Sequence, residues 1–146
     1  MTVLFEHTSA RSLISPPLFA RLVRRVVADD GVTPELAERI VDQALAFLGA
    51  CAREHTEPLS PSEVVDLGWH AFLLHTRDYA DFCDRIAGRF LHHVPTDEDN
   101  PTATGTAAQT IARTVAAIDA AGFNVDPRAV AERKAQLHWL RERMPR

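Results

Sequence analysis

The sequence is poor in the features that mark several large classes of protein. Its 146 residues carry 16 basic and 20 acidic side chains, a net charge of −4, so there is no basic excess to hold a phosphate backbone and no nucleic-acid partner is expected. Two cysteines 32 positions apart do not make a disulfide framework. We therefore expect Cys51 and Cys83 to be free thiols, as in a cytoplasmic protein.

Targeting segments and familiar catalytic motifs are also missing. No apolar run approaches the roughly 20 residues of a membrane span, so no membrane partner is expected. The opening residues, MTVLFEHTSARSL, lack the basic and long apolar segments of a signal peptide, which favours a cytoplasmic location. The sequence contains no HExxH, CxxC, P-loop, GxGxxG or GxSxG motif, so no nucleotide cofactor is indicated.

Helix start signals recur along the chain. Ser15-Pro16-Pro17 and Thr33-Pro34-Glu35 place a capping hydroxyl before a proline of the first turn, and Ser60-Pro61-Ser62-Glu63 has the form of a capping box. Further helices are expected over 107–121 and after Asp126-Pro127. No segment alternates polar and apolar residues for long enough to form a strand. The sequence therefore predicts an all-α fold, a single-domain bundle of five or six helices over residues 1–146.

Residues 63–95 form the candidate site region, because four of the seven histidines lie there. On a helix that turns about 100° per residue, Asp66 and His70 share one face. Such a pair can hold a metal ion, can serve as ligand and orienting partner, or can form a simple exposed hydrogen bond. His75 follows His70 by five positions, so both can face one metal only if the helix breaks near Thr76, which is a plausible new cap.

The remaining candidates of this region also admit two interpretations. Tyr79 and Cys83 lie on an apolar stripe with Phe82, which is typical of core residues. His92 and His93 are neighbours, and in an extended segment neighbouring side chains point to opposite sides. One of the two histidines can then reach back to the helix of His70, and the sequence does not determine which.

Taken together, these residues have two interpretations, a metal site or a hydrogen-bonded core rich in histidine. Donors of the Asp and His type on one face are typical of non-haem iron or zinc, and a Cys donor favours zinc. The candidate divalent-metal ligands are Asp66, His70, Cys83, His92 and His93.

The same region contains a distinctive series of residues, namely Asp66, Trp69-His70, Thr76-Arg77-Asp78-Tyr79, Cys83, Gly88 and His92-His93-Val94-Pro95. This series resembles the glycine-rich domain-containing protein-like family, a domain of unknown function. Two positions depart from that pattern, because this chain has Phe72 where relatives often have a second His and His75 where they often have Asp. The resemblance implies a site formed by Asp66, His70, Cys83 and one of the paired histidines, and it implies no reaction.

Three functions of different classes fit the sequence. The first is a small metal-binding protein, or a metalloenzyme with Tyr79 and His75 as candidate catalytic residues, acting on a small molecule or peptide in a bacterial pathway. The second is a non-catalytic interaction module, in which the His, Trp, Tyr and Cys side chains lock helix packing and an exposed helix face binds a protein partner. The third is a small-molecule sensor with a pocket between helices.

Overall fold

The computed structural model describes residues 7–53, 59–93 and 107–126. Over these ranges a short 3₁₀ helix, Ala10–Leu13, precedes five α-helices: α1 Pro16–Asp30, α2 Pro34–Cys51, α3 Glu63–Leu73, α4 Thr76–Ala87 and α5 Ala107–Ala120. The extended backbone of these ranges contributes one isolated bridge, between Thr8 and Phe123. The predicted all-α fold is confirmed, and the helix expected after Asp126-Pro127 lies outside the described residues.

The predicted caps begin the helices as expected, with one shift. Ser15 Oγ accepts a hydrogen bond from the Leu18 amide, and Thr33 Oγ1 accepts one from the Leu36 amide. The third helix begins two residues later than the predicted capping box, because Ser62 and not Ser60 is the cap. The Ser62 hydroxyl accepts from the Val65 amide at 3.1 Å, so the hydroxyl next to Glu63 satisfies one of the free amides of the first turn.

The α2 helix is the centre of the bundle. Most of its residues are buried, and it packs against α1, α3 and α5. Close approach of α3 depends on Gly68, since a Cβ atom at this position would lie 2.7 Å from Ala44 Cβ and 2.9 Å from the Ile40 carbonyl oxygen. A larger residue would push α3, which carries Asp66, Trp69 and His70, away from the core.

A buried amide side chain fastens the segment after α5 to the core. Gln43 is only 2% exposed, and its Nε2 donates to the Asn124 carbonyl while its Oε1 accepts from the Asp126 amide. The Arg39 guanidinium forms a two-point ion pair with the Asp126 carboxylate, with N–O distances of 2.7 and 3.1 Å. The two bonds of Gln43 satisfy main-chain groups that have no helical partner.

Candidate functional site

The helix break predicted near Thr76 is present. The α3 helix ends at Leu73 and α4 begins at Thr76. The residue before α4 is His75, whose Nδ1–H donates to the Ala71 carbonyl at 3.1 Å and so satisfies a free carbonyl at the end of α3. Thr76 is thus the first residue of the new helix and not its cap, and His75 is half-buried at the junction.

A chain of buried hydrogen bonds crosses this junction. The Trp69 indole N–H donates to the Tyr79 hydroxyl at 2.9 Å, and the Tyr79 hydroxyl donates to the carbonyl of Leu91. The Leu91 amide in turn donates to Cys83 Sγ at 3.5 Å. We call these four residues the Tyr79 network. It joins α3, α4 and the non-helical segment that follows α4.

The Tyr79 network is closed to solvent. Tyr79 and Cys83 are each 1% exposed, and Trp69 and Leu91 are each 7% exposed. Burial raises the pKa of Tyr79 well above its usual value, the hydrogen bond from Trp69 opposes this shift, and the neighbouring Cys83 adds to it. The phenol is therefore neutral at physiological pH.

Cys51, which lies outside the Tyr79 network, is protected from ionisation. Burial raises the pKa of Cys51 to about 12, although the positive charge of Arg89 acts in the opposite direction. Both cysteines are free thiols, as the sequence predicted. A thiol with such a pKa carries almost no thiolate at neutral pH, so Cys51 is a poor nucleophile.

A half-buried pair of polar side chains lies beside the Tyr79 network. His93 Nε2 donates to Asp66 Oδ1 at 2.5 Å, and the two side chains are 24% and 36% exposed. The His93 ring packs on the Trp69 indole, with ring centroids 4.5 Å apart. His93 is therefore the histidine that reaches back to α3, whereas His92 is exposed and contacts the Phe90 ring.

The candidate ligands fall into three different environments. Asp66 and His93 form the half-buried pair, Cys83 is inside the core, and His70 and His92 are exposed. Across the part of the chain that the structure describes, no group of three or more His, Cys, Asp or Glu side chains is placed to hold a metal ion. The two candidate catalytic residues, Tyr79 and His75, are both bonded to main-chain carbonyls.

A surface feature that the sequence did not reveal lies along α4. An open cleft of about 360 Å³ is lined by Ala80, Asp81, Asp84, Arg89 and Phe90. Phe90 is 46% exposed, and its ring packs nearly perpendicular to the Tyr79 ring at a centroid distance of 5.2 Å. The spacing of Ala80, Asp81 and Asp84 along α4 is visible in the sequence. It does not by itself predict a cleft, because the cleft also needs Phe90, which the turn after α4 brings beside these residues.

Comparison with known proteins gives one match. No curated protein and no solved structure matches the chain. Among the helices of the described ranges, none has the length and apolar character needed to cross a membrane. The model of the UCP032817-like family matches residues 13–133, a range that includes all five α-helices. The expected membership of a family of unknown function is confirmed. The name glycine-rich domain-containing protein-like, which the sequence suggested, stays a prediction. The chain belongs to the uncharacterised UCP032817-like family.

Proposed function

We propose that the protein is a non-catalytic binding module whose cleft beside α4 receives part of a peptide or protein partner in the bacterial cytoplasm. One observation carries the proposal. The amide and the carbonyl of a single residue, Leu91, are both bonded by side chains of α4, namely Cys83 and Tyr79. These bonds fix the position of the adjacent Phe90, which forms one wall of the cleft.

The chemistry of the buried groups supports a structural role for them. A general acid or base must lie within hydrogen-bond reach of the proton that it moves and needs a pKa near the working pH. Tyr79 meets neither condition, because its hydroxyl is buried between two protein partners and its pKa is raised. The His75 Nδ1–H donates to the Ala71 carbonyl at the end of α3, which is the bond expected of a residue at a helix junction.

The cleft has the form of a recognition site for a side chain of the partner. Its volume lies at the low end of the range for ligand pockets, roughly 300–1,000 Å³, which suits one long side chain rather than a whole helix. Phe90 is one of the two large apolar side chains that stay exposed within the described ranges, and its ring offers apolar contact area to a side chain of the partner.

Blocking the cleft tests the proposed function. Peptides selected from a displayed library for binding to the wild-type protein should lose affinity for the Ala80→Arg variant, because the new side chain fills the cleft. Ala28→Arg, which places the same side chain on an exposed position of α1, should bind them normally. The proposal fails if no peptide is selected, or if the selected peptides bind Ala80→Arg as well as they bind the wild type.

The Asp66–His93 pair favours a second candidate function, the binding of zinc or iron. A carboxylate bonded to one ring nitrogen leaves the other nitrogen for a metal, as in carboxylate–histidine–metal units. In this function Asp66 orients His93, and His70 is the next candidate donor along α3. The resemblance of residues 63–95 to the glycine-rich domain-containing protein-like family points to the same residues.

Metal content separates the two candidates. Protein purified without a histidine tag should contain about one equivalent of zinc or iron if the second candidate is right, and His93→Ala should lose it. His92→Ala is the matched control, because His92 is the exposed neighbour of His93. Absence of metal from the wild type after reconstitution, or equal content in all three proteins, would leave the binding module as the function.

A further inference from the structure

We propose that the cleft beside α4 is specific for a cationic side chain of the partner, the guanidinium or ammonium group of a basic residue. This inference rests on the proposed function and names the chemistry of its ligand. The observation that carries it is the juxtaposition of two carboxylates, those of Asp81 and Asp84, with the half-exposed ring of Phe90 in one cleft.

Both carboxylates are available to a ligand. Asp81 and Asp84 are exposed, they lie three positions apart on α4, and neither side chain has an ion-pair or hydrogen-bond partner within the described ranges. Three positions correspond to nearly one helical turn, so the two carboxylates stand on the same face. The cleft therefore presents two negative charges to one small volume.

The one basic residue that lines the cleft, Arg89, is held by main-chain carbonyls and forms no ion pair with Asp81 or Asp84 within the described ranges. The Arg89 guanidinium donates to the carbonyls of Cys51, at 3.0 Å, and Ala52, at 3.4 Å, which lie at the end of α2. The partial negative charge of a helix C-terminus is stabilised by a cation in this position. Arg89 also lines the cleft, so its charge offsets one of the two carboxylates and the cleft keeps an excess of one negative charge.

Arg85, which precedes Arg89 and lies on α4, does not pair with the cleft carboxylates either. Arg85 donates to the Leu13 carbonyl at 3.0 Å, and its guanidinium lies 6.0 Å from the centre of the Phe82 ring. It therefore contacts the body of the bundle rather than Asp84, its neighbour in sequence.

The aromatic wall favours the same class of ligand. The face of a phenyl ring carries partial negative charge and attracts cations, and arginine and lysine add an apolar stem that can lie along Phe90 and Ala80. An acidic side chain would meet two like charges, and a purely apolar one would leave both carboxylates to be desolvated without a partner. Charge complementarity thus selects a basic residue.

The test is an NMR titration of the ¹⁵N-labelled full chain with three blocked amino acids: N-acetyl-arginine amide, N-acetyl-leucine amide and N-acetyl-glutamate amide. The arginine compound should shift the amides of residues 80–84 and 89–90, and added salt should weaken it. Asp81→Asn and Asp84→Asn should each lower its affinity about threefold, and the double variant about tenfold. Glu38→Gln, at an exposed acidic position of α2, should leave the affinity unchanged.

Two outcomes would overturn the inference. The first is that the leucine or glutamate compound shifts the same amides as strongly as the arginine compound. The second is that the arginine compound shifts none of these amides, or binds the double variant as tightly as the wild type. Neither outcome decides the proposed function, which depends on whether Ala80→Arg abolishes the binding of selected peptides. The two failures are therefore distinguishable.

Discussion

Replacing Tyr79 with Phe removes one oxygen atom and breaks two buried hydrogen bonds. The Trp69 indole N–H loses its acceptor, and the Leu91 carbonyl loses its donor. A buried polar group left without a partner costs about 1–3 kcal/mol, so we expect the free energy of unfolding to fall by about 2–4 kcal/mol. In a chain of this length the melting temperature should drop by roughly 6–15 °C.

Urea denaturation followed by circular dichroism measures this loss. The double variant with Trp69→Phe provides the decisive comparison, because the indole N–H is absent from that background and Tyr79→Phe should then cost about 1 kcal/mol less. Asp81→Asn, at an exposed position of the same helix, should change the free energy of unfolding by less than about 0.5 kcal/mol. A loss below about 0.5 kcal/mol in Tyr79→Phe, or strictly additive costs in the double variant, would refute the reasoning.

Two further stability predictions test helix packing and the buried thiol. Gly68→Ala should lower the free energy of unfolding by about 1–3 kcal/mol, because the new Cβ atom would lie 2.9 Å from the Ile40 carbonyl oxygen. Gly49→Ala should lower the free energy of unfolding less, because its new Cβ atom would contact the side-chain ring of Phe123, which can move. Equal thermal denaturation of the two variants would contradict this. Burial raises the pKa of Cys51 from 9.0 to about 12, so as the pH rises the thiol ionises in the unfolded chain before it ionises in the folded one. The stabilisation is therefore fully present below pH 9 and should be lost between pH 9 and pH 12, by at most about 1.4 kcal/mol per pH unit. Cys51→Ala should show a shallower decline in urea denaturation at stepped pH, and an unchanged slope would contradict the argument.

The helices were predictable because their signals are local. A hydroxyl that caps an amide three residues later, as at Ser15 and Thr33, acts within one turn and is visible in a short window of sequence. The helix expected over 107–121 corresponds to α5 for the same reason, since its apolar period and the glycine after it lie in one continuous stretch. The start of α3 was misplaced by two residues because two serines precede it and only one of them is in capping geometry.

The contacts of the candidate site could not be predicted from local sequence patterns. Trp69 and Tyr79 lie on different helices, and the angle between those helices decides whether the indole N–H meets the hydroxyl. The choice between His92 and His93 depends on how the segment after α4 is rotated, which no spacing rule specifies. Gln43 shows the same limit, because its partners are main-chain groups more than 80 positions away, and main-chain groups leave no trace in the sequence.

The residue types that suggest a metal or catalytic site are also those best suited to fasten a non-helical segment inside a helical bundle. A buried residue outside a helix, such as Leu91, has an amide and a carbonyl that need partners. Tyrosine and cysteine can supply a donor and an acceptor from within an apolar core, and at four positions apart Tyr79 and Cys83 present both from one face of α4. The structural need of one main-chain unit thus accounts for two of the reactive-looking residues. Asp66 and His93 are not needed by that unit, since their bond is half-exposed and joins side chains only, and for this reason the second candidate function starts from this pair.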